Sequence, residues 1–218
     1  LKLTATERRA VCIHEAGHAV VHSLGGACVY RLAVAPVGST AWTFESRKGG
    51  TLLDLWGACS LSDPPLVAFF MKWNEWDCSY DADRKQFNEA LGQDASALRR
   101  IVRSHVCGLV AGPMAEAIFL GEEPYVWESL ERHEDVAKAM GMARLLPWRR
   151  EYEHLVDETE KVLRLADIWK AVERLASALE ERADMCDFSG FLPRGLAHWP
   201  PSPMARRIPE FGRLTFLE

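Results

Sequence analysis

His14-Glu15-Ala16-Gly17-His18 is the stretch around which this chain is organised. Two histidines stand four residues apart with a glutamate beside the first, the H-E-x-x-H pattern. On a helix, positions i and i+4 lie one above the other, so both imidazoles can share one tetrahedral metal ion. Glu15 then stands where its carboxylate can take a proton from an attacking water and hand it to a leaving amine. Zinc in such a site lowers the pKa of water to about 7 and polarises a carbonyl as a Lewis acid. The pattern predicts zinc-assisted hydrolysis of peptide bonds, with one Zn2+ per chain, His14 and His18 as ligands and Glu15 as the catalytic acid/base.

The flanks agree with a helix. Thr4-Ala5-Thr6-Glu7 fits a capping box, in which the threonine hydroxyl and glutamate carboxylate satisfy backbone donors at the first turn. Gly25-Gly26 supplies the stop. Between them Ala10, Val11, His14, His18, Val21 and His22 fall on one stripe. His22, one turn beyond the motif, is expected to be packed or to support a ligating residue rather than to be a ligand itself, and His105, His154 and His198 have no partner spacing.

Further along, Cys28 to Val37 reads as a strand, Gly38-Ser39 as a turn and Ala41 to Glu45 as the returning strand. An exposed edge of such a sheet could hold an extended peptide by main-chain hydrogen bonds. From Gly49 to Gln93 the signals weaken, and Phe69, Phe70, Trp73, Trp76 and Tyr80 read as a satellite aromatic cluster, lid or insertion. Asp94 is placed to cap a helix through Leu98, Val102, His105 and Leu109, followed by a second stretch from Pro113 to Leu120 that stops at Gly121. Another helix is expected from about Ser129 to before Pro147, with Val136, Met140 and Ala143 inward. A last long one is expected from Tyr152 to Ala183. Residues 191–218, with Trp199-Pro200-Pro201-Ser202-Pro203, read as an extended proline-rich arm after a main domain of residues 1–190.

With 218 residues, 48% hydrophobic and 26% charged, the chain can bury a real core. A net charge of −5 with scattered basic residues gives no footprint for nucleic acid. The longest apolar run, Pro65 to Met71, is too short to span a bilayer, so no membrane contact is expected of the chain. Six cysteines without a C-x-x-C pair suit a reducing, cytoplasmic setting.

A catalytic zinc needs a third protein ligand besides an open position. Thr6 to Gly25 closely resembles the start of the peptidase domain of FtsH-type ATP-dependent zinc metalloproteases. Val110 to Gly121 (V-A-G-P-M-A-E-A-I-F-L-G) looks like that family's Gly-x-Ala-Glu helix, and Asp135 to Ala143 like the helix carrying its aspartate ligand. The resemblance implies a mostly α fold with a small antiparallel sheet (α+β), and Asp135 as the third ligand. The chain departs from the family just before that aspartate, where Leu130-Glu131-Arg132-His133-Glu134 replaces a Thr-Gly-Ala type of stretch. His133, Glu131 and Glu134 are chemically competent too, and His133 is the alternative ligand. Glu116 is a candidate to accept the second ring N–H of a ligating imidazole.

No G-x-x-x-x-G-K-[ST] loop occurs in the sequence, so these residues are expected to hydrolyse no ATP. The expected activity is ATP-independent cleavage of unfolded or flexible polypeptides and peptides, folded substrates needing a separate ATPase or unfoldase partner. The family's ring assembly belongs largely to a module not found here, which leaves the oligomeric state open. The alternative is a catalytically weak zinc-containing binding or regulatory module that uses its sheet edge or its C-terminal arm.

Overall fold

The computed structural model describes residues 2–40, 44–46, 50–52, 56–62, 95–123, 126, 134–195, 199–201 and 215–216. The fold is mostly helical with a small antiparallel sheet. Helix α1 spans Ala5–Leu24, followed by strands β1 (Cys28–Val34), β2 (Phe44–Ser46), β3 (Gly50–Leu52) and β4 (Gly57–Ser62). Then come helices α2 (Ala95–Leu120), α3 (Glu134–Ala143), α4 (Glu151–Leu163) and α5 (Ala166–Arg182), and the short strand β5 (Asp184–Met185).

The predicted capping box closes α1: Thr4 Oγ1 accepts from the Glu7 amide at 3.2 Å, and the Thr4 amide donates to Glu7 Oε2 at 2.8 Å. At the other end Gly25 N–H donates to Val21 O, and Gly26 takes a positive φ of 86° that a larger residue would resist. The single apolar stripe expected of α1 is not what forms. Cys12, Ile13, Ala16, Ala19, Val20, Val21 and Leu24 are all fully buried, because α2, α5, β1 and β4 enclose the helix. A helix apolar on most sides belongs in the middle of a core. Arg8 ties its first turns to the rest, donating to Ala35 O, Glu180 O and Leu179 O, the last two at the C-terminal end of α5 where a cation is favoured.

The expected hairpin is corrected. Strand β1 pairs antiparallel with β4, from Cys28 opposite Ser62 to Val34 opposite Gly57, and with β5 on its other edge; β2 and β3 form a separate ribbon. The turn at Gly38 exists, but its backbone is engaged by the N-terminal segment. Gly38 N–H donates to Leu3 O and Leu3 N–H to Ser39 O, so the chain is anchored there instead of folding back on β1. Residues 41–43 lie outside the described set.

The two stretches expected around Pro113 are one helix, α2, with the proline inside it. An interior proline costs about 3 kcal/mol. Val102, Val106, Cys107, Val110, Ala111, Met114, Ala115 and Ala117 are fully buried along this helix, and their packing offsets that cost. Conversely, the long helix expected from Tyr152 to Ala183 breaks at Arg164-Leu165 into α4 and α5. Carried through as one helix, Leu155, Thr159 and Val162 would face nearly away from Ile168, Val172, Leu175 and Leu179; the break lets both sets be buried. Arg103 and Glu151 form a buried two-pronged ion pair, at 3.1 and 2.7 Å, that fixes α4 to α2.

Helix α3 buries Val136 and Ala143 as expected, with Ala139 and Met142 beside them. Its predicted start near Ser129, the Asp94 cap and the aromatic cluster of residues 69–80 lie outside the described residues. The described parts of the C-terminal arm pack on the body. Trp199 and Leu192 join the core, Ser23 Oγ donates to Pro193 O at 2.6 Å, and Pro193 bridges to Phe216. Among the described residues no helix is long and apolar enough to cross a membrane.

Candidate metal centre

Three elements meet at the motif. Helix α1 presents His14 and His18 on the face packed against α2, and α3 brings Asp135 from its first turn. The two Nε2 atoms stand 3.0 Å apart, and Asp135 Oδ2 lies 3.6 Å from that of His14 and 3.3 Å from that of His18. Within the described residues this is the one group of three or more His, Cys, Asp or Glu side chains whose donor atoms converge closely enough to hold a metal ion.

The far side of each ring is fixed. His14 Nδ1 faces Glu116 Oε2 at 2.8 Å, and His18 Nδ1 faces Gly108 O at 2.7 Å; both oxygens come from α2. A carboxylate and a carbonyl can only accept, so both Nδ1 atoms carry a proton, and both Nε2 atoms, where a metal ion would take the place of any second ring proton, point at the shared space. Two Nε2 atoms 3.0 Å apart can share a cation, either a proton or a metal ion. The donor set of two imidazoles and one carboxylate, with outer partners that lock the tautomers, fits a catalytic zinc site with an open position.

Electrostatics point the same way. Burial alone would lower the His14 pKa, yet hydrogen bonding to Asp135 and Glu116 and the nearby Glu15 charge raise it to about 10. Asp135 is shifted oppositely: burial resists ionisation, but His18 and His14 hold its carboxyl well below the usual range. The site therefore attracts positive charge, whether proton or metal. Glu15 is buried beside it, and burial pushes its carboxyl up while His14 and His18 pull it down. A carboxylate with a raised pKa is a better base near neutrality.

Strand β4 passes over Glu15. A Cβ built on Gly57 would stand 2.5 Å from Glu15 Oε1, so only glycine lets the carboxylate occupy this position. Nothing in the sequence marked Gly57, because β4 (G-A-C-S-L-S) carries little strand signal. Cys59, two residues on, faces the same side of the strand; burial, then the Glu15 and Asp135 charges, push its thiol well above the usual range, which keeps it protonated.

The remaining expected residues divide. Glu134 points outward from α3 and pairs with Lys138, away from the imidazoles. His133 and Glu131 lie outside the described residues. His22 is not in the metal group: it packs against His105 with ring centroids 5.0 Å apart, and among the described residues its buried Nδ1 has no hydrogen-bond partner. Burial pushes both of these imidazoles down, His22 well below its ordinary value and His105 to about 4, with Lys138 adding to the latter shift.

Comparison with protein-family models and with curated proteins returns no match.

Proposed function

We propose that this protein is a zinc-dependent endopeptidase of the H-E-x-x-H type, with the fold of an FtsH-type peptidase domain, acting on unfolded or flexible polypeptides. The observation that carries this reading is the convergence of His14 Nε2, His18 Nε2 and Asp135 Oδ2, with buried Glu15 alongside. His14, His18 and Asp135 would hold the ion. When bound, zinc supplies Lewis acidity toward the scissile carbonyl and acidifies water to a pKa of about 7. Glu15 accepts the proton of the attacking water and returns it to the departing amine nitrogen, two transfers for which a raised pKa is suited. Glu116 and Gly108 O hold the two rings in the ligating tautomer throughout.

The position of β4 supports a polypeptide substrate. Among the described residues it is an edge strand of the sheet, and Gly57 at its start lies against Glu15. An extended chain can add to such an edge through main-chain hydrogen bonds, which demands an unfolded segment and little particular sequence. Folded substrates would need a separate ATPase partner.

The test is ATP-free cleavage of an unfolded protein by the zinc-loaded chain. Glu15→Gln should retain the metal and lose about 10²–10⁴-fold in rate, the usual contribution of a positioned general base. A chelator should abolish activity and zinc restore it. Cleavage that survives both treatments would sink the reading.

A further inference from the structure

Helix α2 meets α1 through small residues, but they meet different things. A Cβ built on Gly17 of α1 would run into Ala111 O and Ala115 Cβ at 2.7 Å, which is ordinary close packing of two helices. One built on Gly108 would fall 2.2 Å from His22 Nδ1, against an interior ring. One built on Gly112 would fall 2.3 Å from His18 Nε2, 2.5 Å from His18 Cε1 and 2.7 Å from His14 Nε2, at the ring edges where the two converging nitrogens lie. Zinc sits about 2.0–2.1 Å from a ligating nitrogen. A methyl at position 112 would thus stand near metal distance from His18 Nε2 and somewhat beyond it from His14 Nε2, crowding the space an ion shared by the two would use.

We infer that Gly112 is a positioning residue for the metal: its missing side chain leaves the space in which a cation shared by His14 and His18 can sit. This rests on the metal reading above. Gly112 lies inside α2, nine residues before its stop at Gly121, where no left-handed turn calls for glycine. Alanine there would favour the helix by about 1 kcal/mol, so a local reason must hold glycine in place. Two are available. One is the imidazole pair; the other is Pro113, since a residue before proline is crowded in the helical conformation. The two make opposite statements about the metal.

The experiment compares the full chain and Gly112→Ala, each with and without Zn2+, by metal stoichiometry, competition against a chelating dye, and thermal unfolding. The wild type should bind one zinc and gain in Tm on binding. Gly112→Ala should fold, lose more than about 100-fold in zinc affinity, beyond the 10–100-fold typical of a lost supporting contact, and show no zinc-induced rise in Tm. If the glycine only relieves Pro113, the variant will be destabilised equally with and without zinc and will keep its affinity, and the inference fails. Should Gly112→Ala not fold, Pro113→Ala removes the backbone conflict. Pro113→Ala alone should then bind zinc normally while Gly112→Ala in that background does not; zinc retained by the pair overturns the inference. A wild type that binds no zinc overturns the metal reading itself and this inference with it, whereas zinc bound equally by both overturns the inference alone.

Discussion

Four imidazoles lie along one side of α1 and its contact with α2, and they fall into two pairs with opposite properties. His14 and His18 are ringed by Glu116, Asp135 and Glu15, with both Nδ1 atoms engaged by α2 and both Nε2 atoms turned toward Asp135 and each other. His22 and His105 are as deeply set, but among the described residues no carboxylate forms an ion pair with either; Asp135 acts on both only as a minor influence, and burial holds both neutral. The His14 and His22 pKa values are driven in opposite directions although they are two turns apart on the same helix. Residue type and burial do not set the two pairs apart; the carboxylates brought by α2 and α3 do, and only the pair beside them converges on a group that could hold a metal ion among the described residues.

The largest break in that contrast should come from Asp135→Ala, which removes the only carboxylate that reaches both Nε2 atoms among the described residues. Zinc affinity should fall by more than about 100-fold in a chelator competition, exceeding what loss of an outer contact costs. A loss seen with His133→Ala and not with Asp135→Ala would transfer the third ligand to His133. Glu116→Ala should have a middling effect, about 10–100-fold in affinity, because His14 loses the acceptor that fixes its tautomer while keeping Nε2.

The interior pair should show itself in acid. Folded His105 stays neutral until about pH 4, whereas the unfolded chain takes up that proton near 6.5. Between these values the unfolded state binds more protons, so stability falls as pH drops from about 6.5 to 4, by up to roughly 3 kcal/mol from this residue. His105→Leu should flatten that limb in urea titrations run across the window, with zinc affinity at pH 7.5 unchanged. An unaltered slope would mean that His105 is not held neutral.

How much of this was readable beforehand depends on whether the signal was local. The ends of α1 were set by Thr4, Glu7 and Gly25-Gly26, each acting within a turn, and the sequence reading placed them correctly. His14, Glu15 and His18 came from a spacing on that same helix, and Glu116 from the rule that a ligating ring needs an outer acceptor. Asp135 was reached only through resemblance, since nothing near it announces which of several acids will meet a helix more than a hundred residues earlier. The misreadings share a cause. Strand β1 chose β4 over its neighbour in sequence, α2 ran through Pro113, and α4 parted from α5 without glycine or proline. In each case burial against distant residues overruled local propensity. Gly112 and Gly57 were invisible for the same reason, because what they make room for comes from another element.

The most direct test of the central claim is ¹⁵N NMR of the histidine rings during titration of the metal-free protein with one equivalent of Zn2+. Two rings, assigned through His14→Gln and His18→Gln, should shift as Nε2-ligated imidazoles that keep the Nδ1 proton, while His22 and His105 remain neutral and unmoved. Ligation by His22 or His105, or no ring responding to zinc, would contradict the division of the four imidazoles and the metal centre built on it.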